Sequence, residues 1–71
     1  MKIKGKEVLW KSEKENVAVA FSQFDMGDKF KVYRKIYYSS KNSIWEYVIA
    51  FGTMGEAVMY AGKIYDEKVM R

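Results

Sequence analysis

The chain has 71 residues and a net charge of +4, and it contains neither Cys nor His. These counts exclude disulfides, thiolate metal sites and the commonest general base, and the length predicts one domain, residues 1–71. A chain this short buries only about 60% of its unfolded surface. We therefore expect it to gain stability from self-association, and we predict a homodimer.

The composition and the N-terminal sequence also predict the cellular location of the protein. Hydrophobic residues make up 49% of the chain and aromatic residues 17%, which argues against disorder. No apolar run approaches the roughly 20 residues of a membrane span. The charged start "MKIKGKEVLW" lacks the apolar core of a signal peptide. We expect a cytoplasmic protein without membrane contact, and the richness in Lys, Ile, Tyr and Phe hints at an AT-rich bacterial or phage genome.

The hydrophobic pattern predicts four strands followed by one helix. The strands are expected at residues 2–10, 17–24, 29–38 and 44–51. Gly5 indicates a bend or bulge in the first strand. The helix is expected at residues 54–69, because Thr53 and Glu56 form a capping box at its start. The predicted fold class is α+β: an antiparallel β-β-β-β-α meander with the C-terminal helix packed on one face.

The alternation of side chains in "FKVYRKIYY", residues 30–38, predicts which face the helix covers. Side chains at every second position of the three later strands are expected to face the helix. These are Val17, Val19, Phe21, Phe30, Val32, Ile36, Tyr38, Trp45, Tyr47, Ile49 and Phe51. The alternate positions of the third strand are all Lys or Tyr. We expect them to line the uncovered face together with Ile44, Glu46 and Val48; they are Lys29, Lys31, Tyr33, Lys35 and Tyr37.

Arg34 is the charged exception in the row that is expected to face the helix. An unpaired buried charge is costly. Three explanations stay open: Arg34 lies at the rim of the sheet, it pairs with an acid such as Glu46, or the third strand is bulged. We favour the rim.

The distribution of charge favours binding to a polyanion. Residues 54–71 contain three basic and three acidic residues, so the whole positive excess lies in residues 1–53. Lysines that alternate with tyrosines on a sheet can neutralise phosphates while the rings stack on bases. We predict binding to nucleic acid, with DNA as the first choice. The candidate nucleic-acid-binding residues are Lys29, Lys31, Tyr33, Lys35, Tyr37, Lys4, Lys6 and Lys41.

Two other interpretations of the Lys and Tyr row stay open. One is a solvated sheet face, because Lys stems and Tyr rings commonly cover sheet carbon while their polar ends stay wet. The other is a protein-interaction module, such as a small phage-encoded inhibitor or adaptor of a host or defence protein. That partner would bind the same face or the helix residues Met59, Tyr60 and Met70.

The sequence does not predict an enzyme. Its carboxylates are scattered over loops and strand ends, with no nucleophile beside a base. The segment "GTMGEA" is too short for a phosphate-binding loop and lacks its lysine. We expect no catalytic residue, metal or cofactor.

The segment "FKVYRKIYYSSKNSIWEYVIAFGTMGEAVMYAGKIYDE" resembles the three-stranded-sheet-plus-helix domains that bind the arm sites of tyrosine recombinases. It is also similar to the plant ethylene-response-factor DNA-binding domain. The resemblance covers about 38 residues and includes the junction "FGTMGEA", residues 51–57.

In those families the sheet enters the DNA major groove, which implies DNA contacts for Lys31, Tyr33, Lys35 and Tyr37. Two features depart from the pattern: the first two strands have no fixed counterpart, and the hairpin tip "SSKNS" is less basic. The order of elements also resembles the Whirly-type single-strand-binding fold, which dimerises.

Overall fold

The structure, a computed structural model, describes residues 2–69, with side chains to residue 65. It contains five strands and one helix. These are β1 (Lys2–Ile3), β2 (Lys6–Lys11), β3 (Val17–Phe21), β4 (Phe30–Tyr37), β5 (Ser43–Phe51) and α1 (Met54–Val69). The strands form one antiparallel sheet in the order β1-β2-β3-β4-β5. The predicted α+β meander with a C-terminal helix is confirmed.

The fifth strand arises because Gly5 forms a turn. Lys4 and Gly5 have φ values of 51° and 81°, and they connect Ile3 to its partner Lys6. Two successive residues with positive φ are typical of the type I′ turn, whose twist matches that of paired strands. The predicted strand 2–10 is therefore a two-stranded hairpin.

Replacing Gly5 with alanine is expected to destabilise this hairpin by about 1 kcal/mol, because an L side chain strains the left-handed region. A Cβ at Gly5 would meet no atom within 4 Å, so the cost comes from the backbone alone. Gly27→Ala is the matched control, because Gly27 is equally open but its φ lies outside the left-handed region. Urea unfolding should show a lower midpoint for Gly5→Ala alone, and equal midpoints would refute the turn assignment.

The main core lies between the sheet and α1. Val17, Val19 and Val32 are fully buried against Ala57 and Ala61 of the helix. Small alanines on the buried side allow the helix axis to approach the sheet closely. The predicted inward direction of the β3 valines and Val32 is confirmed.

The helix begins where the capping box predicts. The Thr53 hydroxyl accepts a hydrogen bond from the Glu56 amide at 3.3 Å and donates one to the Glu56 carboxylate at 2.9 Å. The Thr53 carbonyl accepts the Ala57 amide at 3.3 Å. The Thr53 hydroxyl thus satisfies the Glu56 amide, one of those that a helix start leaves without partners, and the Ala57 bond is the first regular bond of the helix.

A bulge in β5 reverses part of the face prediction. Val32 lies opposite Ile49 whereas Tyr33 lies opposite Tyr47, so Val48 is an extra residue. A bulge of this kind shifts the alternation by one residue. The prediction that Trp45 and Tyr47 face the helix is therefore wrong, and both lie on the opposite face.

The same shift changes the outcome for other residues near the helix. Val48, predicted for the uncovered face, packs against the helix-side core, as Phe51 does. Ile49 stays exposed, and Tyr38 is exposed in the turn after β4 rather than facing the core.

Of the three explanations for Arg34, the structure shows the second, in which Arg34 pairs with Glu46. It lies directly opposite Glu46 and donates two hydrogen bonds to one oxygen of that carboxylate, at 2.6 and 2.9 Å. The bulge that we considered for the third predicted strand lies in β5 instead. Both side chains are nearly half exposed, so the pair contributes little to stability, about 1 kcal/mol or less.

Candidate nucleic-acid interface

The sheet face opposite α1 holds a second, smaller core. Ile3, Ala18, Ala20 and Tyr33 are all buried there. Ile3 lies on β1, three strands away from Tyr33, so the twisted sheet coils and brings the β1–β2 hairpin over this face. The face that the sequence predicted to be open is partly closed.

Tyr33 needs the clearest correction among the predicted site residues. It lies on the predicted face, but its side chain is only 2% exposed. Its ring contacts Tyr47 edge-on, with centroids 6.1 Å apart. Tyr33 therefore stabilises the face from within and has no free ring surface for stacking on a base.

Three lysines lie over aromatic rings on this face. The Nζ atoms of Lys4, Lys31 and Lys35 are 5.9, 5.5 and 4.8 Å from the ring centroids of Tyr33, Tyr47 and Trp45. Each contact is worth about 0.5–1 kcal/mol at an exposed site and limits the freedom of a long side chain. We call this surface the cationic face. It comprises Lys4, Lys6, Lys31, Lys35, Tyr37, Trp45 and Tyr47.

Lys31 differs from the other lysines of the cationic face because it forms an ion pair. Its ammonium donates a hydrogen bond to Asp25 in the loop between β3 and β4, and the side chain is mostly buried. This bond raises the pKa of Lys31 and lowers the pKa of Asp25. Among the side chains to residue 65, no carboxylate lies within ion-pair distance of Lys4, Lys6 or Lys35.

A cleft of about 440 Å³ lies between the β1–β2 hairpin and the β3–β4 loop. Lys4, Lys6 and Lys31, three of the predicted site residues, line it together. Lys2 and Phe24 also line it, and neither is among the predicted site residues. Reading Gly5 as a tight turn would have placed Lys2 opposite Glu7, on the strand that carries Lys6, and indicated this cluster.

The remaining predicted residues do not join the cleft. Lys29 precedes β4 and Lys41 lies in the turn after it, so the two are exposed at opposite ends of that strand. Tyr37 is 60% exposed at the end of β4. Trp45 and Tyr47, which the sequence analysis placed on the wrong side, supply the other rings, and Tyr47 is half exposed.

The β3–β4 loop presents a different kind of surface. Phe24 and Met26 are 90% and 101% exposed, on either side of the anchored Asp25. Met59 of the helix is also exposed. Tyr60 instead packs against the core, with its ring centroid 5.5 Å from that of Phe51, and Met70 lies outside the described residues.

Comparison with protein-family models, curated proteins and solved structures gives no match for this chain. The resemblance to arm-binding and ethylene-response-factor domains stays a prediction. Within the described residues, no helix is both long enough and apolar enough to span a bilayer.

Proposed function

We propose that this protein binds nucleic acid, with DNA as the first choice, through its cationic face. The observation that carries the proposal is that the Lys4 and Lys35 ammonium groups are held over aromatic rings with no carboxylate within ion-pair distance among the described side chains. Held charges lose less side-chain entropy when a phosphate binds than free lysines do. A cytoplasmic location and a bacterial or phage origin belong to the same proposal and rest on composition.

The side chains of the cationic face favour contacts to phosphates over contacts to bases. Among the side chains described, Lys4, Lys6 and Lys35 supply cations with no carboxylate within ion-pair distance. The rings of Tyr37 and Tyr47 are exposed enough to stack on bases. Such a site binds the backbone and reads little sequence.

The width of the sheet favours a single strand over insertion into a groove. Five strands spaced about 4.8 Å apart span about 19 Å. The major groove is only about 12 Å wide, which is narrower than this five-stranded sheet. An unstacked single strand can lie across the curved face and present its phosphates to the lysines.

The test is a fluorescence-anisotropy titration with labelled single-stranded and duplex DNA and with RNA, repeated over a range of salt concentrations. Three available lysines predict a slope of log K against log salt of about −2 for single strands and about −2.7 for duplex DNA. An affinity that does not change with salt, or no binding at low salt, would refute the proposal.

Asp25→Asn is expected to strengthen binding by about five- to eightfold at about 0.1 M salt, the effect of one additional phosphate contact. The change releases Lys31 from its ion pair. Asp28→Asn is the matched control, because it removes the same charge from the same loop and Asp28 does not pair with Lys31. Equal gains for both variants would mean that only net charge matters.

The Lys31–Asp25 ion pair should break at low pH. The folded pKa of Asp25 is lowered, so its ion pair is intact above the ordinary carboxyl pKa of about 3.9. The pair is lost, together with its contribution to stability, as the pH falls through the lower folded value. At neutral pH the Lys31–Asp25 ion pair is therefore intact.

A protein-interaction module is the second candidate function, and the exposed Phe24 and Met26 favour it. Apolar side chains this exposed are typical of contact residues, and Met adapts to irregular partners. A Met26→Ser variant separates the two functions, because Phe24 also lines the cleft that holds Lys4, Lys6 and Lys31. Unchanged DNA affinity, with loss of a partner that resists nuclease and high salt, would assign the loop to protein binding.

A further inference from the structure

The outer edge of β5 is the longest unpaired feature of the sheet. Within the described residues β5 ends the strand order, and eight of its nine residues pair with β4, on one side only. The opposite edge is β1, which has two residues. A long edge strand offers a row of backbone donors and acceptors to another strand, whereas a very short one does not.

Apart from the bulge at Val48, the β5 edge lacks the usual protection against pairing. It contains no Pro and no Lys, and its one charge, Glu46, is neutralised from within the sheet by Arg34. Ile44 and Ile49 are exposed along it, and the helix packs mainly over β3 and β4. An exposed apolar edge of this length is a site for strand addition.

We propose that two copies of this chain pair along β5 in antiparallel fashion to form one continuous sheet. A second copy fits this edge because the excess lysines of the chain lie off β5, so two copies can meet there without bringing cations together. The pairing also gives a 71-residue chain the additional buried surface that its small core calls for.

Charged and aromatic side chains of β5 restrict the register, that is, which residues of the two β5 strands lie opposite each other. The two-fold axis of antiparallel edge pairing is perpendicular to the sheet, so both cationic faces lie on the same side. The register centred on Glu46 places two carboxylates opposite each other and is unfavourable. A register centred on Trp45 or Tyr47 aligns aromatic rings across the axis, which favours pairing.

The dimer would double the proposed binding surface. Two cationic faces side by side can bind one nucleic-acid strand at two points, which raises affinity through effective concentration. The pairing itself does not depend on the proposed function, so its test is made on the full chain after nuclease treatment.

The experiment measures mass by light scattering and sedimentation, and amide hydrogen exchange in β5, over a range of micromolar concentrations. We expect twice the 8.4 kDa chain mass, with β5 amides that exchange more slowly as concentration rises. Ile44→Glu/Ile49→Glu adds charges of the same sign as Glu46, and we expect at least a tenfold weaker dimer.

The matched control, Met54→Glu/Met59→Glu, makes the same chemical change on exposed helix positions and should remain dimeric. Circular dichroism checks that each variant folds, and the exchange measurement needs no variant. A wild-type mass of one chain with exchange independent of concentration would overturn the proposal. So would a dimer that the β5 and helix variants weaken equally. DNA binding by a monomer would leave the proposed function intact.

Discussion

Truncating Tyr33 to alanine is expected to destabilise the protein by about 3–5 kcal/mol, the range for large buried aromatic side chains. The ring is 2% exposed and contacts the Tyr47 ring, the Lys4 ammonium and the cluster around Ile3. At about 0.05–0.15 kcal/mol per residue, 71 residues have only about 4–11 kcal/mol of total stability. Urea or thermal unfolding should show a large share of this stability lost.

Two control variants separate burial from ring chemistry. Tyr33→Phe keeps the ring and should cost less than about 1.5 kcal/mol, the value of one hydrogen bond. Tyr37→Ala removes an equally large ring from an exposed position and should cost about 1 kcal/mol or less. If Tyr33→Ala is as mild as Tyr37→Ala, the hairpin does not close over this face. Tyr33→Phe should also bind DNA as the parent does.

Neutralising Lys4 and Lys35 together is expected to weaken DNA binding by about 25-fold for a single strand and about 60-fold for a duplex at about 0.1 M salt. Each lysine is held over a ring and has no ion-pair partner among the described side chains. The double variant Lys4→Asn/Lys35→Gln suits the local backbone, because Asn tolerates the positive φ at position 4. The salt slope should fall by about 1.4–1.8 in the same titrations.

The matched control for this loss is a lysine on the helix. Lys63 is exposed on α1, on the other side of the sheet from the cationic face. Lys35→Gln and Lys63→Gln remove the same charge, yet only the first should reduce affinity, by about five- to eightfold. Equal losses would show that net charge attracts DNA without a defined site.

The structure explains why Lys4 and Lys35, and not Lys31, are the lysines to replace in this test. From sequence, Lys31 and Lys35 look equivalent because both alternate with tyrosines on one strand. In the fold Lys31 is tied to Asp25, so replacing it would also release the β3–β4 loop. A change at Lys31 would therefore not report on phosphate contact alone.

The elements could be predicted because each carries a local signal. Period-two alternation marks the strands, and the Thr53–Glu56 capping box marks the start of the helix. The β5 bulge carries no such signal. "IWEYVIAF" alternates without a Gly, and Val48 becomes the extra residue only because Val32 and Tyr33 pair as they do. One unpaired residue was enough to move Trp45 and Tyr47 to the cationic face.

The burial of Tyr33 could not be predicted for a related reason. It depends on the coiling of the sheet, which brings β1 across two neighbouring strands to reach β4. Coiling is a property of the whole sheet, and the sequence of one strand does not contain it. Gly5 was a visible signal, but a bulge and a two-residue turn share it, and they lead to different positions for Lys2 and Lys4.

The most direct test of the central claim is a chemical-shift titration of the ¹⁵N-labelled protein with a short single-stranded DNA at low salt. We predict the largest shifts at the amides of β4 and β5, at the Trp45 indole N–H and in the β1–β2 hairpin, with little change in α1. Shifts centred on α1, or no shifts at all, would contradict binding by the cationic face.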